Sequence, residues 1–168
     1  MIQVRYTECL RSLEQAALDM ERKLVAMVAG FSEEVATIVI DNTPIGDFEK
    51  LEDKESSYYK LYLNRFKKWD IAITPGYHAG SWRFSATGTT PFDSAIYEPE
   101  EAIGQIKQDV RGGAYSLGDK FYITSNGPGI MFLEEGGSPK APMGIVAPSM
   151  AEIEASYKVN LKGYFDRA

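Results

Sequence analysis

One periodic run of apolar residues constrains the fold of this chain more than any other feature. From residue 10 onward, apolar residues recur at steps of three or four, which is the spacing of one face of an α-helix. The run consists of Leu10, Leu13, Ala17, Met20, Leu24, Met27, Phe31, Val35 and Ile38. An unbroken helix from residue 7 to residue 40 would be about 50 Å long at about 1.5 Å per residue. A compact domain of this size needs no helix of that length, so we expect part of it to pack outside its own core.

The end of this helix is harder to place than its start. Gly30 could interrupt it, because glycine costs about 1 kcal/mol relative to alanine inside a helix. The sequence "VATIVI" at 35–40 is also compatible with a strand. The next residues, "DNTPIGD" at 41–47, combine Asn, Pro, Gly and Asp and predict a loop. We therefore predict a helical arm over residues 1–42.

The middle of the chain contains one segment without a clear period and two short strand patterns. Residues 47–75 are rich in tyrosine and charge, and we predict an irregular insertion there with one or two helical turns. The sequence "GSWRFSATG" at 80–88 alternates apolar and polar residues, as a half-buried strand does. The sequence "KFYITSN" at 120–126 predicts a second strand.

Two further helices complete the pattern. Pro99 is followed by acidic residues and then by apolar residues at helical spacing, which predicts a middle helix that ends near Gly112. Pro148 and Ser149 predict the start of a C-terminal helix. We therefore predict a single α+β domain over residues 1–168, with a long N-terminal helix, a central small and mostly antiparallel β-sheet, one middle helix and a C-terminal helix.

Composition argues against several classes of protein. The chain has no apolar run of the length that spans a membrane, and charges interrupt its N-terminus where a signal peptide would be apolar, so we expect synthesis in a bacterial cytoplasm and no membrane segment. One cysteine and one histidine do not make an ordinary zinc site. A net charge of -6 opposes a grip on nucleic acid through phosphate neutralisation. We predict no metal and no cofactor.

The residues that could carry catalysis are few. The single histidine, His78, lies in "PGYHAGSW", and Ser81 follows three residues later. A small hydrolase built on this pair is one alternative, although the serine lacks the flanking glycines of a nucleophile elbow. The adjacent Glu134 and Glu135 point in different directions in either a helix or a strand, so solvation explains them better than acid–base chemistry.

A segment rich in turn-forming residues, "ITSNGPGIMFLEEGGSPKAPMGI" at 123–145, encloses the apolar sequence "IMFL". It lacks the lysine and hydroxyl of a phosphate-binding loop. We predict a strand end, a short apolar segment, a Glu-Glu-Gly-Gly turn and a proline-stiffened approach to the last helix. At least two of residues 130–133 should face the protein's own core, because four exposed large apolar residues would endanger the unassembled protein.

Three separated pieces together resemble the neck and tail-completion family of long-tailed bacteriophages, which is related to tail protein Z of phage lambda. The pieces are "TPIGD" at 43–47, "PGYHAGSWRF" at 75–84 and "YITSNGPGIMFLEEGGSPKAPMGIV" at 122–146. In that family a long N-terminal helix ends at a Thr-Pro-Val/Ile turn with a glycine close behind, which corresponds here to Pro44 and Gly46. A glycine then precedes a strand that carries tryptophan.

The remaining matched positions follow in the family's order. Gly80 and Trp82 correspond to the glycine and the tryptophan-bearing strand. A strand end, a Pro-aromatic segment, a Glu-x-Gly and an Ala-Pro-x-Gly sequence then follow, and they correspond here to Asn126, Pro128, Glu134, Gly136, Pro142 and Gly144. The chain departs from the pattern at Gly129 and Glu135, where the family carries aromatic residues, and its 47–75 insertion is longer.

The resemblance implies a structural protein of the virion, at the phage neck, and no enzyme. Such a protein would form a ring between the head connector and the tail, with neck, connector and tail proteins as partners, and DNA would pass through it without specific binding. A ring needs two different complementary patches on each subunit. The long first helix and the apolar segment with Met131 and Phe132 are our candidates for one of them. A tail terminator, a head-closure protein, the hydrolase and a monomeric adaptor stay as alternatives.

Overall fold

The computed structural model describes residues 2–68, 76–88 and 98–165 of the chain. Helix α1 covers Ile2–Asp41 without interruption, so the predicted long N-terminal helix is confirmed. Gly30 does not break it, and a methyl group at that position would meet no atom within 4 Å beyond the adjacent residues and backbone of its own helix. The strand interpretation of 35–40 is wrong. Ala36 and Ile40 lie one helical turn apart, and each is 1% exposed in the core.

Two helices follow in the segment where we predicted an irregular insertion. Helix α2 covers Phe48–Glu52 and helix α3 covers Ser57–Lys68. Tyr58, Tyr62 and Phe66 are four residues apart, and their ring centroids lie 5.0 and 5.6 Å from one another along one face of α3. The prediction is therefore wrong for most of this segment, because tyrosines supply the apolar face of the helix. Residues 69–75 of the predicted insertion lie outside the described residues.

A two-stranded antiparallel sheet lies between the helices. Strand β1 covers Trp82–Ser85 and pairs with strand β2, Tyr122–Ser125. Trp82 and Phe84 alternate with half-buried neighbours and face the core, as the sequence pattern predicted. The long helix, the antiparallel sheet and the helices around it make this an α+β fold.

Three further α-helices of the described part of the chain are α4 at Pro99–Gly112, α5 at Ile130–Glu134 and α6 at Val146–Phe165, and one turn of 3-10 helix at Ala79–Ser81 precedes β1. Helix α4 matches the predicted middle helix and begins with a capping box between Glu98 and Glu101. Helix α6 begins two residues before the predicted start. Its proline therefore stands in the first turn, where the backbone amides have no partner within the helix.

The core gathers at the C-terminal end of α1, where α4, α6 and the sheet meet it. Its most buried side chains include Ile40, Ile106, Val110 and Ile145. Polar contacts bind the same helices together at the rim of the core. Arg111 on α4 donates two hydrogen bonds of 2.8 Å to the carboxylate of Glu33 on α1. On α6, Ser156 donates a hydrogen bond of 2.6 Å to Glu34.

The N-terminal part of α1 leaves this core. Every residue from 7 to 20 is exposed, and we call residues 7–20 the N-terminal segment. Leu13 is 62% exposed and Met20 is 65% exposed. The helix therefore extends past its own core, as its length predicted.

A pair of substitutions on apolar side chains tests where the core lies. We expect Ile106→Ala to lower the free energy of unfolding by about 2–5 kcal/mol, because it removes a buried side chain and leaves a cavity. Leu13→Ala should change that free energy by less than about 0.5 kcal/mol, since Leu13 is exposed. Urea unfolding followed by circular dichroism measures both. Equal losses from the two substitutions would contradict this division of α1.

Candidate functional site

The turn after α1 is fixed to strand β1 by one buried hydroxyl group. Thr43 Oγ1 donates to the carbonyl oxygen of Val39 at 2.7 Å and accepts a hydrogen bond from Trp82 Nε1 at 2.9 Å. Thr43 and Trp82 are 2% and 6% exposed. Both polar groups are therefore satisfied inside the core, where an unpaired one would cost free energy. The bond joins two of the three sequence pieces that carry the family resemblance.

The next residues of this turn pack against α2 and α3. Pro44 lies beside a cavity of about 30 Å³ that Tyr62 also lines. Gly46 is buried, and a methyl group there would lie 3.1 Å from Leu51 Cδ1 and 3.2 Å from the hydroxyl oxygen of Tyr62. The close approach of these side chains explains the glycine. A second tie comes from Lys140 Nζ, which donates to the carbonyl oxygen of residue 45 at 2.9 Å.

The single histidine connects the loop before β1 with the loop after β2. His78 is 8% exposed, and its Nε2 lies 2.9 Å from the carbonyl oxygen of Pro128. Because a carbonyl oxygen only accepts, Nε2 carries the proton and donates it. Burial lowers the pKa of His78 below its ordinary value, and the bond to Pro128 opposes this shift only in part. The imidazole is therefore held in its neutral form.

Ser81 contacts the main chain of His78 instead of its ring. Ser81 Oγ donates to the carbonyl oxygen of His78 at 2.7 Å and lies 2.6 Å from Ser125 Oγ on β2. A catalytic pair needs the serine hydroxyl at the unprotonated ring nitrogen of the histidine, whereas the Ser81 hydroxyl donates its proton to the main-chain carbonyl oxygen of His78. Gly80, between the two, is buried, and its amide donates to the carbonyl oxygen of Gly76 at 2.8 Å. The hydrogen bonds of Ser81 therefore connect the loop before β1 with strand β2.

The apolar sequence "IMFL" forms helix α5. Leu133 is buried, and Ile130 and Phe132 are partly buried against the core, whereas Met131 is 64% exposed. The prediction that at least two of these residues face their own core is confirmed. The guanidinium of Arg65 lies 4.6 Å from the ring centroid of Phe132 and covers part of it. Only Met131 of the four projects into solvent as a large exposed side chain.

The glycines around α5 begin and end it. Gly129 precedes the helix with a φ of 87°, which an aromatic residue rarely adopts, and this accounts for one departure from the family pattern. At the other end, the amide of Gly136 donates to the carbonyl oxygen of Leu133 at 3.0 Å and that of Gly137 donates to Phe132 at 2.8 Å. These two bonds, with a φ of 78° at Gly136, constitute a Schellman motif.

Glu134 caps helix α6, which begins twelve residues later at Val146. Its Oε2 accepts hydrogen bonds from the amides of Ile145 at 2.9 Å and Val146 at 3.1 Å, at the start of α6. Two of the otherwise unpaired amides of that helix are thereby satisfied by a carboxylate. Our interpretation of Glu134 as a solvated side chain is therefore wrong, whereas Glu135 is exposed as expected. Gly144 allows Glu134 to come this close to the start of α6, because a methyl group at residue 144 would lie 2.5 Å from the carbonyl oxygen of Glu134.

The structure divides the residues predicted from the resemblance into two groups. Most of them are buried or half-buried where these loops meet, and we call this meeting point the loop junction. This group comprises Pro44, Gly46, Gly80, Trp82, Pro128, Phe132, Glu134, Gly136 and Gly144. Asn126, Met131 and Pro142 are exposed. The residues predicted from the resemblance therefore belong mainly to the internal scaffold, and three of them lie on the surface.

A groove beside α1 is a surface that the sequence patterns do not predict. It lies between α1, the region of β2 and α6, and its volume is about 420 Å³. Its walls are apolar and include Val28, Phe31, Phe121, Val146 and Met150. We call it the α1–α6 groove. Helix α1 thus carries an exposed apolar segment at one end and one wall of an apolar groove further along.

Within residues 2–68, 76–88 and 98–165 the structure contains no metal-binding cluster of three or more His, Cys, Asp or Glu. No helix among the residues described is long and apolar enough to cross a bilayer.

Removal of the Glu134 carboxylate tests the cap on α6. We expect Glu134→Ala to lower the free energy of unfolding by about 1 kcal/mol, because two helix-terminal amides lose their acceptor. Glu135→Ala is the matched control, and we expect a change below about 0.5 kcal/mol because its side chain is exposed. Urea unfolding of both variants measures the difference. If Glu135→Ala costs as much as Glu134→Ala, the cap does not contribute.

The buried histidine predicts a pH dependence of stability. The pKa of His78 is lowered in the folded state, so the unfolded chain binds the proton more readily. The contribution of the neutral ring is fully present above the unfolded pKa of about 6.5 and is lost as the pH falls through the lower folded pKa. We expect thermal stability to decrease from about pH 7 to pH 5. His78→Gln should flatten this decrease, and an unchanged slope in that variant would contradict the assignment.

Comparison with known proteins identifies no relative of this chain. No protein-family model matches it, and neither the curated proteins nor the solved structures contain a match.

Proposed function

We propose that this protein is a structural component of a bacteriophage neck, which assembles as a ring that joins the head connector to the tail. The observation that carries the proposal is the presence of two different apolar surfaces on one chain. One is the N-terminal segment, and the other is the α1–α6 groove. A ring of identical subunits needs two complementary patches of this kind, whereas a symmetric dimer uses a single patch twice.

The contacts of the loop junction support the same proposal. The bond between Thr43 and Trp82 joins the first and second pieces of the family pattern. The bond between His78 and Pro128 joins the second and third pieces. The bond from Lys140 to the carbonyl oxygen of residue 45 joins the third piece to the first. Residues that resemble the family are therefore engaged with one another in a scaffold. This is what a shared fold requires.

The charge of the protein suits a ring around DNA. Each copy has a net charge of -6, and the charges of several copies add in an assembly. The resulting field repels phosphate and is screened over a Debye length of about 8 Å at physiological salt. DNA in such a channel would pass without adhering to the wall. A tail terminator or a head-closure protein would share these properties and remains the nearest alternative.

Microscopy and mass measurement test this function. We expect negative-stain images of the purified protein, concentrated into the millimolar range, to contain closed rings, and its mass in solution to be a multiple of the protomer mass. Ser81→Ala should assemble as the unchanged protein does, because Ser81 lies in the loop junction. A protein that stays monomeric at every concentration contradicts the ring. A hydrolytic activity that Ser81→Ala abolishes would favour the hydrolase.

A further inference from the structure

We propose that the N-terminal segment of one copy lies in the α1–α6 groove of the next copy and that this contact joins the subunits. The inference rests on the proposed ring and specifies which surfaces form it. It also names the occupant of the groove, which is a helix from a second copy of this chain.

The exposed face of the N-terminal segment has the form of a helix that docks on a partner. Leu10, Leu13, Ala17 and Met20 follow one another at steps of three, four and three, so they form one stripe. Leu10 is 42% exposed, and the exposure rises to 62% at Leu13 and 65% at Met20. Helices that insert into grooves present apolar anchors at this spacing. The stripe is therefore a complete docking face that the protomer itself leaves uncovered.

The α1–α6 groove has the complementary shape and chemistry. Two helices and the region of β2 enclose it, and apolar side chains remain accessible at its mouth. Val28 is 40% exposed, Val146 is 44% exposed and Met150 is 48% exposed. Asp119 is the one charged residue among those that line the described part of the groove. A third helix with an apolar stripe would complete a packed layer there.

The geometry of α1 prevents a protomer from filling its own groove. Leu13 and Phe31 belong to the same unbroken helix, and they are about 27 Å apart along its axis at about 1.5 Å per residue. The segment cannot fold back without breaking α1. Another molecule must supply the helix, and every copy of this chain carries one with the matching stripe.

The size of the contact explains why a closed ring is favoured over an open pair. Residues 7–20 form a cylinder about 21 Å long and about 10 Å wide, and half of its surface is about 330 Å². With the opposing groove, one contact buries about 700 Å², which is less than the roughly 1,200–2,000 Å² of a stable interface. In a ring each copy makes two such contacts, once through its segment and once through its groove. A closed ring of n copies therefore has n contacts, one more than an open chain of the same copies, and the last contact forms without immobilising a further copy.

A competing arrangement uses the same stripe symmetrically. The stripe continues through Leu24, Met27 and Phe31 at steps of four, three and four, which is the repeat of a coiled coil. Two α1 helices could pair along it and give a dimer. Such a dimer would be isologous and would not propagate into a ring. The experiment must therefore separate a contact between two segments from a contact between a segment and a groove.

Cross-linking between two single-cysteine variants makes this separation. In a Cys9→Ser background, Leu13→Cys marks the segment and Met150→Cys marks the groove. Both positions are exposed, so neither change should prevent folding. We expect a short bis-maleimide to link the mixture of the two variants at least about tenfold faster than either variant alone, a ratio that corresponds to about 1.4 kcal/mol. Gln108→Cys, at an exposed position on α4, replaces Met150→Cys in the control mixture.

The cross-linking outcomes are distinct. Rapid linking of Leu13→Cys with itself, faster than in the mixture, would overturn the inference in favour of the α1 pair. Equal linking with Met150→Cys and with Gln108→Cys would also overturn it, because the groove would then have no preference for the segment.

Charge insertion provides the second measurement and separates this inference from the proposed function. Leu13→Glu and Met150→Glu should each abolish the rings seen in negative stain, while Gln108→Glu leaves them intact. Circular dichroism should give the same helix content for all three variants. Rings that persist in Leu13→Glu would refute the contact and leave the ring function standing. A protein that shows neither rings nor preferential cross-linking at any concentration refutes both.

Discussion

Helix α1 cannot bend back on itself, and this constraint determines where its apolar side chains find partners. The C-terminal part of the helix meets α4, α6 and the sheet, and there Ala36 and Ile40 are almost completely buried. Most of the N-terminal segment extends past those elements, and residues 7–20 are exposed along their length. A stiff helix thus gives one chain a core of its own and an apolar surface that only another molecule can cover. The fold and the proposed assembly both follow from this property.

Much of this architecture could be predicted from the sequence because it depends on local periodicity. The stripe of α1, the alternation around Trp82 and the proline at the start of α4 each reflect a regular backbone pattern. The insertion is the exception, because Tyr58 and Tyr62 pack their half-buried rings in a row with buried Phe66 on one face of α3, whereas tyrosine in a sequence is equally compatible with solvent. Periodicity predicts a helix well only when the residues that form its buried face are unambiguous.

The loop junction could be predicted only in outline because its contacts are distant in sequence. Glu134 caps a helix that begins twelve residues later, and no N-terminal capping pattern within α6 reveals it. Trp82 and Thr43 are 39 residues apart. Gly136 and Gly144 lie in a segment rich in turn-forming residues, but their positive φ and their close approach to the main chain of Pro142 and Glu134 depend on the tertiary structure. Neither pattern nor propensity contains this information.

Apolar contact between copies would be opposed by the repulsion of their net charges, so such an assembly would be reversible until the ring is complete. A single contact of the size estimated for the N-terminal segment buries less than a stable interface needs, and each copy has a net charge of -6 that opposes association. Salt screens this repulsion beyond about 8 Å but leaves apolar burial in place. Pairs, in which each subunit makes one contact, would therefore dissociate. In a closed ring every subunit makes two contacts and no binding surface is left unpaired. A neck component with these properties could remain dispersed until a partner concentrates it, and this is how a short apolar segment can direct assembly without causing aggregation.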